Sequence, residues 1–132
     1  MGQYYILVNL STGEYVHPHD VGDDGAKLMD IAYSTGGLMT ALTVLLASGN
    51  GRGSGDIRCD HPLVGRWAGD RIVLAGDYDD AELYCHDFAT ALGAAYCTEQ
   101  NLYNFAQEIG KNITPELFEC FSAAGERFGA GV

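Results

Sequence analysis

The sequence predicts an α+β fold, one domain over residues 1–132, in which an antiparallel sheet of about four strands is packed with helices. Three observations carry this. β-branched and aromatic runs lie near the N-terminus and again in the middle. Apolar residues at helical spacing fill the second half. Short clusters of turn-forming residues, rather than long linkers, separate the elements.

Residues 3–10 form the first predicted strand. Tyr4, Tyr5, Ile6 and Val8 make it almost continuously apolar, as a strand buried on both faces is. Ser11-Thr12-Gly13 supplies turn chemistry, and residues 14–18 return as a short partner strand ended by Pro18. A polar loop follows. Asp23 or Asp24 then caps a helix over residues 25–34, with Leu28, Ile31 and Ala32 at i, i+3, i+4. Gly36-Gly37 stops it, and residues 38–47 read as a second helix, although their Thr and Val content leaves a strand open. At residues 48–56, SGNGRGSGD alternates four glycines and excludes any regular element. Residues 63–67 and 71–75 flank Ala68-Gly69-Asp70 and read as a hairpin. Three helices complete the prediction. One spans 81–96, with Asp80 as N-cap and Tyr84, Phe88, Ala91 and Ala95 on one face, and a second spans 102–109. The third spans 115–128, with Thr114 as N-cap, Pro115 in the first turn, Leu117, Phe121, Ala124 and Phe128 inward, and Gly129-Ala130-Gly131 as terminator.

Composition narrows function. Eighteen acidic residues stand against seven basic ones, a net charge of −11. Such a chain repels nucleic-acid backbones and anionic membrane surfaces, whose recognition depends on Lys and Arg. The apolar run at 38–47 is too short to span a bilayer. The N-terminal residues lack the basic stretch and small-residue cleavage site of a signal peptide. A cytoplasmic location is therefore expected, with Cys59, Cys85, Cys97 and Cys120 reduced.

The charge is uneven. Residues 49–71 hold Arg52, Arg58, Arg66 and Arg71 against three aspartates, a net +1, while both flanks are strongly negative. Glycine-rich backbone exposes N–H groups, and the guanidinium fork suits phosphate or carboxylate. The expectation is a binding module for an anionic small molecule, a nucleotide or phosphorylated metabolite. Arg52, Arg58, Arg66, Trp67, Asp70 and Arg71 would hold it, with Trp67 stacking from the hairpin. The plainer alternative is a loop whose arginines pair with Asp56, Asp60 and Asp70, and a tryptophan that anchors the core. Neither a P-loop nor a dinucleotide-binding fingerprint is present.

Other candidates are thinner. His17, His19, Cys59, His61, Cys85 and His86 are zinc-ligand types, but their spacing matches no zinc motif, and no metal is assigned. Asp77, Asp79, Asp80 and Glu82 resemble a hard-cation loop in composition only. An enzyme acting on a similar anion, with Asp70, Asp77 or His61 as acid or base, is the first rival. An acidic protein that meets a basic partner, or mimics nucleic acid, is the second. Acidity as an adaptation to salt is the third. The sequence names no cofactor and leaves self-association open.

Several blocks taken together, MGQYYILVNL, HPHD at 17–20, TALTVLLASGNGRGSGD at 40–56 and HPLVGRWAGDRIVLAGDYDD at 61–80, resemble a family of small uncharacterised microbial and viral proteins. The resemblance covers roughly the first 80 residues and implies no activity. It keeps the Gly/Arg loop and the Trp67 segment in one block.

Overall fold

A computed structural model describes residues 2–21, 25–80, 82–95 and 99–129. The α+β prediction holds. Strand β1 (Tyr5–Asn9) lies inside a four-stranded sheet. It pairs antiparallel with β2 (Glu14–Val16) on one side and with β3 (Ile72–Gly76) on the other. The fourth strand, β4 (Lys111–Asn112), runs parallel to β2 at the outer edge. The sheet is therefore mixed, not purely antiparallel. Two residues, Lys and Asn, carry no apolar pattern, so β4 leaves no signal in the sequence.

Both faces of β1 are covered, which explains its unbroken apolar run. On one face, Leu7 and Val16 pack with Ile31 of α2 (Leu28–Ala32) and with Leu38, Ala41 and Leu45 of α3 (Leu38–Leu45). Leu117, Cys120 and Phe121 of α6 (Thr114–Ala124) complete that layer. On the other, Ile6, Val8 and Tyr15 pack with Phe88 of α4 (Cys85–Ala91) and with Leu102, Phe105 and Ala106 of α5 (Leu102–Ile109). A single turn, α1 (Pro18–Val21), follows β2, so Pro18 ends the strand and starts a helix.

Residues 63–67 are not a strand. Successive turns run from His61 to Asp70, with Val64, Arg66, Ala68 and Asp70 each donating N–H to the carbonyl three residues earlier. Gly65 and Gly69 sit at φ +78° and +81°, which bends the chain at the point where a strand would need extension. Leu63 and Trp67 both drop into the core, and the Gly65 and Trp67 N–H groups bond to the Val44 and Leu45 carbonyls at the end of α3. The partner of β3 is β1, so the expected hairpin of 63–67 with 71–75 does not form.

Helix boundaries also shift. Glu82 and Tyr84 are left-handed, at φ 73° and 64°, so α4 starts at Cys85 and Asp80 is not its N-cap. α6 stops where Gly125 turns left-handed at φ 70°, earlier than expected. Phe128 still reaches the core because the chain folds back and stacks it on Phe121, with ring centroids 4.6 Å apart. Thr114 opens α6 without capping it. Its N–H is held by Asn112 Oδ1 at 3.0 Å, and its own hydroxyl is buried. The expected caps Asp23 and Asp24, the helix ends at 81 and 96, and the terminator residues 130–131 lie outside the described residues.

Candidate functional site

The glycine loop leaves α3 at Leu46 and rejoins the core at Ile57 and Cys59, which pack against the cluster around α6. Asn50 braces it. Its Nδ2 donates to the carbonyls of Ile57 at 2.9 Å and Cys59 at 3.1 Å, joining the two arms. At the tip, Asp56 Oδ2 accepts the Arg52 N–H at 2.8 Å. Gly51, Gly53 and Gly55 have φ values of +85°, +128° and +102°, and a β-carbon on any of them would meet nothing within 4 Å. Backbone conformation, not packing, requires these glycines.

Two consequences follow for binding. Among the described residues, the N–H groups of Gly51, Gly53, Ser54 and Gly55 have no protein acceptor. Arg52 and Arg58 are exposed, and among the described residues no carboxylate lies at ion-pair distance from either. A hollow of about 550 Å³ beside the tip is lined by Gly51, Gly53, Ser54, Asp56, Arg58 and Asp60. A smaller groove of about 300 Å³ runs between the loop and the core, with Thr43, Val44, Ile57 and Phe121 in its walls.

The other four expected site residues lie elsewhere and have partners. Arg66 lays its guanidinium on Glu14, with Nε at 2.9 Å and 3.1 Å from the two carboxylate oxygens and Nη2 also on Oε2. Trp67 is fully buried, so it presents no face for stacking, and its Nε1–H donates to Glu14 Oε1 at 2.8 Å. The Thr12 hydroxyl donates to the same oxygen at 3.1 Å. Burial alone would raise the Glu14 pKa. The bonds from Arg66 and Trp67 and the Arg66 charge outweigh it, holding the carboxyl below its ordinary value of 4.5. The hydrogen bond to Glu14, and its charge, outweigh burial and hold Arg66 more firmly charged. Asp70 accepts from Asn9 Nδ2 at 2.9 Å, and among the described residues no arginine pairs with it. Arg71 pairs with Asp87 at 3.2 Å across the surface.

The remaining candidate chemistry is also occupied. His61 Nδ1 accepts the Leu63 N–H at 3.2 Å, which leaves the proton on Nε2, 3.2 Å from Glu119. Asp77 Oδ1 accepts the Tyr4 N–H at 2.9 Å, tying the start of β1 to the end of β3. His17 and His19 pack ring against ring, with centroids 5.3 Å apart. Among the described residues, no three of His, Cys, Asp and Glu converge as a metal site would require. Cys97 lies outside them. No helix of the described residues is long and apolar enough to cross a membrane.

Two residues of structural weight escaped the sequence reading. In the sequence Glu14 stands only as the first residue of the short returning strand, and Asn9 as one position of the first strand. Each meets its partner more than fifty residues along the chain, and no local pattern reports such a meeting. The chain matches no protein-family model, no curated protein and no solved structure.

Proposed function

We propose that this protein is a binding module for a small anion, a phosphate or carboxylate group on a metabolite or nucleotide, held at the tip of the glycine loop. Arg52 and Arg58 supply charge, and the N–H groups of Gly51, Gly53, Ser54 and Gly55 supply directed donors. One observation carries the reading. Of the four arginines between residues 49 and 71, Arg66 and Arg71 are paired with carboxylates, while Arg52 and Arg58, both on the loop, have no carboxylate partner among the described residues. Arg66, Trp67 and Asp70 then serve the frame. They hold the 61–70 turns against β1 and β2, and those turns anchor the far end of the loop.

The net charge of −11 favours a small ligand over a polyanion, because a long anion laid on the loop would meet the acidic flanks. Thermal shift against inorganic phosphate, pyrophosphate, a nucleoside triphosphate and a sugar phosphate tests the reading. Stabilisation is expected from at least one of them, reduced in Arg52→Ala and Arg58→Ala and kept in Arg71→Ala. No stabilisation by any of the four overturns the proposal.

A further inference from the structure

Cys59 and Cys120 are 61 residues apart in sequence, yet their Sγ atoms lie 3.6 Å from each other, thiol against thiol. Cys59 stands on the returning arm of the glycine loop and is half-buried. Cys120 is fully buried on the inner face of α6. The contact joins two segments that share no backbone hydrogen bond among the described residues. A disulfide needs sulfurs about 2.05 Å apart, so closure requires a shift of roughly 1.5 Å, small for a loop residue.

We infer that Cys59 and Cys120 form a reversible redox-modification site, at which a low-molecular-weight disulfide converts the two thiols into an intramolecular disulfide linking the glycine loop to α6. The order of events follows from access. Cys59, the half-exposed thiol, loses its proton and attacks one sulfur of the small disulfide. That S–S bond breaks, and one small thiolate leaves and takes up a proton. Cys120, deprotonated in turn, attacks the Cys59 sulfur of the mixed disulfide and expels the second small thiolate, which is also protonated. Two protein thiols are oxidised and one small disulfide is reduced to two thiols, so electrons and protons balance. Burial, with the neighbouring Cys59 and Glu119, pushes the Cys120 thiol up to about 12, consistent with Cys120 acting second. The sulfur contact is independent of what the glycine loop binds.

The test is incubation of the full chain with oxidised glutathione, followed by mass spectrometry and tryptic mapping without reduction. Cleavage at Arg58, Arg66, Arg71, Lys111 and Arg127 places Cys59 alone in residues 59–66, Cys120 alone in residues 112–127, and Cys85 and Cys97 together in residues 72–111. The expected product has lost two hydrogen masses, carries the 59–66 peptide joined to the 112–127 peptide, and reverts with a dithiol reductant. Its melting temperature rises by roughly 10 °C, since a long loop has been closed. Cys59→Ser loses both the link and the rise, and because its side chain is half-exposed it keeps the fold if Cys120→Ala does not. A stable glutathione adduct on Cys59, a link involving the 72–111 peptide, or an unmodified chain overturns the inference.

Discussion

Arg66 reaches back 52 residues to cover the carboxylate of Glu14, which is only 3% exposed at the start of β2. An acid this deep is tolerated because its oxygens receive Arg66, the Trp67 indole N–H and the Thr12 hydroxyl. The pair fixes the 61–70 turns to the sheet and removes Arg66 from the pool of arginines that could meet a ligand.

Breaking this arrangement from the basic side is the more damaging change. Arg66→Ala leaves a buried carboxylate with only two neutral donors, and a loss of about 3 kcal/mol is expected. Trp67→Phe keeps most of the buried ring and removes one hydrogen bond, at a cost of about 1.5 kcal/mol. Urea denaturation of the two variants should show that order. Equal midpoints for Arg66→Ala and the parent would contradict it.

Acid should act on stability in two steps. The His17 pKa is lowered below 6.5 by burial, against the pull of Asp20 and with help from His19. A base with a lowered folded-state pKa leaves the unfolded chain binding more protons, so its stabilising contribution is complete above about 6.5 and is lost as pH falls through the folded value. Glu14 is lowered below 4.5, so its contribution is complete above that value and is lost further down. Stability measured against pH is expected to fall first below about 6.5, a step absent in His17→Gln. It falls again below about 4.5, a step absent in Glu14→Gln.

Asn9 organises the turn between β1 and β2. It is fully buried, its Oδ1 accepts the N–H groups of Ser11 at 2.7 Å and Thr12 at 3.0 Å, and its Nδ2 donates to Asp70. Asn9→Leu strands these groups without changing volume greatly, and a loss of about 2–3 kcal/mol is expected in chemical denaturation.

The glycines differ in what they tolerate. A β-carbon on Gly65 would lie 2.6 Å from the Ala47 carbonyl oxygen at φ +78°, whereas one on Gly53 would meet open space. Gly65→Ala combines a backbone clash with left-handed strain and should cost about 3 kcal/mol. Gly53→Ala carries the strain alone, at about 1 kcal/mol. Melting temperatures of the two variants distinguish them, and equal losses would contradict the packing described at Gly65.

Much of the fold was legible in the sequence. The continuous run at Tyr4–Val8 marked a strand buried on both faces, and Leu102 through Ile109 showed a helix whose extent the structure repeats. The 63–67 segment misled because Leu63, Val64 and Trp67 are strand-formers by type. Gly65 in their midst and the carbonyls at the end of α3 decided for turns. The start of α4 was hidden because Glu82 and Tyr84 adopt left-handed backbone without the usual glycine. At the candidate site, charge counting located the basic segment but could not sort its arginines. Arg52 and Arg66 look alike in sequence, and only the fold brings Glu14 to one and not to the other.

That division of the arginines is most directly tested by backbone-amide NMR during titration with pyrophosphate. The expected result is a saturable shift concentrated at residues 51–58, abolished in the Arg52→Ala/Arg58→Ala double variant, with the indole N–H of Trp67 unmoved. Shifts centred on Arg66, Trp67 and Arg71, or none at the loop, would contradict it.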